Sequence, residues 1–498
     1  MVIMMRKQCI FSLCLTALLI QTCIGCSNTQ DQTGDTQTSP SQTDMETAVT
    51  DNQYKANVPD ADFGGAEFHV LGPDPNAYQS LLLDFDFEAE PADIVQSAIY
   101  QRNRKIEETY NIKFQSEYVS SFDEPRQILE KNVMAGEDAY QLVMLICRNA
   151  FPQALKGYAL MPEEIPYVDT TQPWYIHHVN EMMSVDGKEV LAYTDECMNA
   201  YLQTVGMFFN KNMITSNALE DPYTLVEEGK WTTDKFYEMA SAVIRDLNGD
   251  GKYDVSDAWG VVSEPDMFYP SIWVGAESTT VQKDAQGYPA FVAVGNEKLI
   301  SLLQNLMEKL NTNGFYFNSF DNFGLEEISR DKGTQLFADG GSLFLVTNIG
   351  KVLMLRDMNA DFGILPLPKY DEAQETYYGR MLDGWVHIVP STAEKTEMIG
   401  TVIEALGAES KNLVIPAFFD VALTGKLIRD TDSEKMLNLL FDNVTLDLGD
   451  TVWYDSVRQP LTSAMDKGQK EFASYFQKQE KRIVKTIQKS MDELENRG

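Results

Sequence analysis

The chain has 498 residues, a formal net charge of −35 and a sequence pI near 4.4. A surface this acidic repels phosphate backbones and anionic headgroups, which argues against nucleic acid and lipid surfaces as partners. With 44% hydrophobic residues over this length, the chain is large enough for two or three domains with their own cores.

The first 25 residues carry a basic flank at Arg6 and Lys7, an apolar run over 9–20, and Gly25 before Cys26. That layout predicts a secretory signal peptide, because the apolar run is too short to span a bilayer. Cys23-Ile24-Gly25-Cys26 resembles a lipobox, with Cys23 where leucine is commonest, and makes Cys26 the expected lipidation site. Residues 26–59 are mostly Ser, Thr, Gln, Asp and Asn, with no aromatic before Tyr54. They bury too little apolar surface to offset their ordering entropy, so a flexible linker is expected there. Of six cysteines, only Cys147 and Cys197 lie beyond Cys26, and both are expected to be buried free thiols.

In the folded part, strands are expected at 68–71, 112–119 and 142–146, with helices over 92–110 and 124–134. This βαβαβ order predicts a mostly parallel sheet with helices on its faces. A further strand is expected at 190–194. A second α/β unit begins near 205–209, with a helix opening at Thr232, where the hydroxyl caps and Asp234 sits in the first turn. Later strands are expected at 343–347, 362–365 and 385–389. A long amphipathic helix is expected over 466–494, with Phe472, Phe476, Ile483, Ile487, Met491 and Leu494 on one face.

Several blocks together resemble the family-1 extracellular solute-binding proteins, the group that includes maltose-binding protein. One is Val205-Gly206-Met207-Phe208-Phe209-Asn210-Lys211, followed by Asp221-Pro222-Tyr223 and Gly229-Lys230-Trp231-Thr232. Others are 337–345, the strand ending in Leu365-Pro366, and Val452-Trp453-Tyr454-Asp455-Ser456-Val457-Arg458. The resemblance implies an α/β, two-lobed periplasmic-binding-protein-like fold with discontinuous lobes, a hinge and an interlobe cleft. It implies lobe 1 over 60–203 with 385–412, and lobe 2 over 205–381 with 413–498. Ligand bridging the cleft would select the closed state, which an importer can then read.

Sugars stack their C–H faces on aromatic rings and need planar polar partners for their hydroxyls. The resemblance places Trp273, Tyr269, Trp453 and Tyr454 at the cleft, and Trp385 with Asp383 lies near an expected crossover. Arg148, Asn149 and Asn348 follow expected strands, where parallel sheets present ligand groups, and Asp195 follows the strand expected at 190–194. Trp174 and Trp231 are read as structural. A separate loop carries oxygen side chains at Asp246, Asn248, Asp250, Asp254 and Asp257, with Gly251 at the sharp turn and the Lys252 carbonyl as a further donor. It predicts a structural Ca²⁺ site, with Asp257 where a bidentate glutamate is usual.

None of the four histidines has metal-ligand spacing, and there is no GxSxG elbow, P-loop or dinucleotide fingerprint. The expectation is a binding protein and not an enzyme: a monomeric, lipid-anchored receptor on the outer face of a bacterial membrane that passes a sugar or oligosaccharide to ABC permease subunits. Alternatives are the same receptor fold binding a peptide, polyamine or other small solute, and a secreted glycoside-active enzyme.

Overall fold

Regular elements begin where the alternating apolar pattern does. Strands β1 (Ala66–Pro73), β2 (Ile112–Val119), β3 (Leu142–Ile146) and β4 (Ala159–Leu160) come first. They are followed by β5 (Thr204–Asn210), β6 (Trp259–Ser263), β7 (Val281–Lys283), β8 (Pro289–Phe291) and β9 (Tyr316–Asn318). The last are β10 (Ser342–Asn348), β11 (Phe362–Leu365), β12 (Gly379–Met381), β13 (Trp385–Pro390) and β14 (Val444–Thr445). This computed structural model describes residues 54–75, 85, 87–324, 327–355, 358, 361–382, 384–423 and 430–497. The expected signal peptide, Cys26, most of the linker and Asp383 lie outside the described residues.

Helix α1 (Ile94–Tyr110) joins β1 to β2, and α2 (Glu124–Ala135) joins β2 to β3. The Asp93 carboxylate caps α1 by accepting from the Val95 and Gln96 amides. β1 pairs in parallel with both β2 and β3, as the βαβαβ order predicts, and the first sheet runs β2-β1-β3-β13-β4. β13 returns antiparallel to β3, with Trp385 opposite Ile146. Phe68, Val70, Phe114 and Leu142 fill one face of this sheet beneath Ile399, Val402 and Leu406.

The second sheet is built around β5, every residue of which is buried. β10 pairs antiparallel on one side of β5, and β11 and β12 pair antiparallel on the other. β6, β9 and β10 run parallel, so their C-terminal ends lie along one edge. Alternation along β5 sends Met207 and Phe209 into one core and Phe208 into another. β14 joins this sheet through β12. The chain therefore crosses between these two sheets three times: before β5, between β12 and β13, and again before β14, while β7 and β8 pair only with each other. Among the described residues, no helix is long and apolar enough to cross a membrane.

Two expectations are corrected. Residues 190–194 form no strand; only Thr194 makes an isolated bridge, to Tyr175. The Asn180 amide takes the place of a neighbouring strand, accepting from the Tyr193 N–H and donating to its carbonyl. The terminal helix is shorter at its start. A helix over Arg458–Asp466 ends at Gly468, whose φ of 82° suits a residue without Cβ, and a new helix runs Phe472–Glu495. Cys147 and Cys197 are buried, and neither is in a disulfide.

Candidate functional site

The C-terminal end of β3 leads directly into helix α3 (Cys147–Leu155). Arg148 and Phe151 lie one turn apart on α3, so both face the same neighbour. That neighbour is the segment Trp453-Tyr454. The Arg148 guanidinium carbon sits 4.6 Å from the Tyr454 ring centroid, and the Phe151 and Trp453 rings meet edge-on at 6.1 Å. Phe122, 39% exposed, extends this surface, with Arg148 5.5 Å from its ring. Trp453 itself is 5% exposed and donates its indole N–H to Ser490 Oγ at 3.3 Å. Asn149 donates to Asp123 at 3.1 Å. The hydrogen bond from Arg126 holds the Asp123 carboxyl down to about 2, against the effect of burial.

Tyr454 is fixed from the other side by a buried ionic chain. Arg380 of β12, with no exposure, donates to Asp450 at 2.6 Å and 2.9 Å, and Arg458 donates to the same carboxylate at 3.2 Å. The Arg458 guanidinium in turn lies 4.1 Å from the Tyr454 centroid. Arg380, Asp450, Arg458, Tyr454 and Arg148 thus form a continuous string from the second sheet to the helix that follows β3. Such a string orders Tyr454 before any ligand arrives.

Beside it, Asp447 caps the turn Leu448–Thr451 and accepts from the Trp273 indole at 3.1 Å, from Thr280 N at 2.8 Å and from Val281 N at 3.1 Å. Burial, helped by the neighbouring Asp450 charge, pushes its carboxyl up to about 6 against these donors. Trp273 is 1% exposed and packed into the core of the second sheet. Tyr269 is 3% exposed and donates to Asp466 at 2.9 Å.

The other expected ligand groups stand apart from this string. Asn348, at the end of β10, is 5% exposed; its Nδ2 donates to Gln203 at 3.3 Å while its Oδ1 has no hydrogen-bond partner. Trp385 packs against Met144, Ile146 and Cys197. Asp195 is 1% exposed and already committed, to Lys411 at 2.9 Å and the Tyr201 hydroxyl at 2.9 Å. Of the expected residues, the structure brings Arg148, Trp453 and Tyr454 together. Trp273 reaches the same region only through Asp447, Trp385 stands opposite Ile146 at the end of β3 but packs into the core, and Asp195 is held by Lys411 and Tyr201.

No family model matches this chain, and no curated protein matches it. Solved structures do. The galacto-N-biose/lacto-N-biose I-binding protein of an ABC transporter from Bifidobacterium longum, in complex with lacto-N-biose, superimposes with a TM-score of 0.57 at 14% identity, over 86% of this chain and 98% of that one. An extracellular solute-binding protein from Staphylococcus aureus, in complex with maltose, gives 0.55 at 12% identity, over 84% and 98%. An ABC substrate-binding protein from Listeria monocytogenes, in complex with cycloalternan, gives 0.54 at 13% identity, over 85% and 99%. The fold is that of the two-lobed solute-binding proteins.

In this fold, sequence reasoning quoted the block ending at Arg458 without giving that arginine a role, and it missed Arg380, Phe122 and a group at the ends of the parallel strands. Glu264 follows β6, Tyr316 of β9 donates to the Ser263 carbonyl at 3.2 Å, and Asp266, Asp466 and Tyr269 lie close enough to perturb Tyr316 electrostatically. The strand-end argument that selected Arg148 and Asn348 applies equally to β6 and β9; β9, three residues long, has too short a pattern to be recognised. The loop 246–257 closes on its own amides. Asp246 accepts from Gly249 at 2.6 Å and Gly251 at 2.8 Å, Asn248 from Asp250 at 2.9 Å, and Asp257 from Leu247 and Asp254, both at 2.9 Å. Asp250 accepts from the Lys252 amide at 2.8 Å. Among the described residues, no group of three or more His, Cys, Asp or Glu side chains is arranged to hold a metal ion.

Proposed function

We propose that this protein captures a sugar or oligosaccharide between its two lobes and delivers it to an ABC importer without chemical change. The observation that carries this reading is the Arg148–Tyr454 contact, which joins the helix after β3 to a segment tied through Asp450 to β12. The guanidinium groups that hold the Tyr454 ring fix its half-buried edge and hydroxyl in place, and the arginine edges offer hydrogen-bond donors to sugar hydroxyls. The ligands in the similar structures, lacto-N-biose, maltose and cycloalternan, support a carbohydrate for this chain as well. We propose also that it acts as a monomer held outside the cell by a lipid on Cys26, an anchoring that the expected signal and linker support.

Calorimetric titration of the mature protein against a glycan panel tests the reading. Saturable one-to-one binding of a glycan, weakened at least tenfold by Tyr454→Ala, is the expected result. A panel with no binder ends the sugar assignment, and glycan cleavage over time ends the non-enzymatic one. We further propose that the loop 246–257 takes one Ca²⁺ as a structural ion. Its acceptor oxygens would turn from the amides they now hold toward the cation, with the Lys252 carbonyl completing the set.

A further inference from the structure

A cavity of about 230 Å³, with Tyr454 not among its lining residues, is lined by Tyr175, Ile176, Tyr201, Phe441, Asp442 and the two histidines His177 and His178. Pockets for drug-sized ligands run to ~300–1,000 Å³, so an occupant here is a small molecule. The walls come from both sides of the chain crossings. Tyr175 is bonded through its hydroxyl to Glu404, on the helix Thr396–Glu409 that covers the first sheet. Phe441 ends the helix Thr431–Asp442, whose Leu437 and Leu440 pack with Phe208, Phe362 and Ile364 of the second sheet, and Val444 begins β14.

The polar groups of the walls decide what the cavity can hold. Both phenol hydroxyls are committed to carboxylates, Tyr175 to Glu404 and Tyr201 to Asp195, and so are not available to a ligand. What they leave is ring surface. Tyr201 and Phe441 stand nearly perpendicular, at 79° with centroids 5.2 Å apart, and form a corner, with Tyr175 as a third ring. The exposed carboxylate of Asp442 brings a negative charge to the lining. The His178 imidazole is shifted toward its neutral form, first by burial and then by the neighbouring His177, against the pull of the Val444 backbone. A saccharide would need several free planar partners. A quaternary or methylated ammonium needs only aromatic surface and one carboxylate, and it is too weakly hydrated to lose much on entering.

We propose that this cavity is a second binding site, separate from the glycan cleft, for a small methylated ammonium ion. An ion held there touches elements on both sides of the crossings, so it would also bias the hinge. The assignment does not depend on which solute the cleft takes.

The test titrates the full mature chain with tetramethylammonium chloride and choline chloride, followed by tryptophan and tyrosine fluorescence, with sodium chloride and glucose as controls. Thermal melts confirm that the Asp442→Asn and Tyr201→Leu variants are folded. The expected result is saturable one-to-one ammonium binding, at least tenfold weaker in Asp442→Asn and lost in Tyr201→Leu, with neither control binding in the same range. No saturation by ~10 mM ammonium, corresponding to a free energy weaker than about −3 kcal/mol, would overturn the proposal. So would equal affinity in folded variants, or a titration that glucose reproduces.

Discussion

Replacing Glu404 by glutamine isolates one buried carboxyl whose protonation couples to folding. Glu404 is 1% exposed, accepts from the Tyr175 hydroxyl, and accepts from the Asp169 amide at 3.3 Å. Burial raises its carboxyl from 4.5 to about 7; the bonds from Tyr175 and Asp169 oppose that rise and the Asp169 charge adds to it. The folded protein therefore holds a proton that the unfolded chain releases between those two values, and stability falls as pH rises through the interval. Each pH unit of displacement is worth about 1.4 kcal/mol, so the loss from this group is about 3 kcal/mol, complete above about pH 7. Glutamine keeps the shape and cannot ionise. Chemical denaturation of both proteins from pH 4.5 to pH 8 should show the wild type losing about 3 kcal/mol relative to Glu404→Gln, while carboxylates common to both cancel in the difference. Parallel curves across that range would refute the coupling.

Asp450→Asn should destabilise the protein by about 3–5 kcal/mol in the same assay, because it strands the Arg380 and Arg458 guanidinium groups in a dry interior. A loss below about 1 kcal/mol would mean the string is not a buried ionic network. Gly400→Ala should cost about 3 kcal/mol or prevent folding, since a Cβ at that position would lie 1.7 Å from the Pro166 carbonyl oxygen; a melting temperature equal to wild type would contradict that packing. Calcium chelation should lower the thermal midpoint by several degrees, and Asp246→Asn should remove the response. An unchanged midpoint on chelation would leave the loop as a self-capped turn.

How much of this was legible before folding can be judged from particular elements. β2 and β3 are read to the residue, because an alternating or fully apolar run bounded by helix caps leaves few alternatives. The Thr232 cap is likewise local, its hydroxyl accepting from the Lys235 amide at 3.3 Å. Residues 190–194 carry the same local signature and yet form no strand, since what decides a strand is a neighbour, and Asn180 satisfies Tyr193 instead.

The sequence by itself determined the α/β class, the order of the first three strands and two helices, the Thr232 helix start and the expectation that aromatic and strand-end polar residues serve a ligand. Those properties rest on periodicity, capping and turn chemistry, which act over a few residues. Only the tertiary structure decided that Arg148 meets Tyr454, that Arg380 and Asp450 stand behind it, and that Trp273 and Asp195 spend their polar groups within the core. Such pairings join residues far apart in the chain, and nothing local distinguishes an aromatic that stacks on a ligand from one that fills a core.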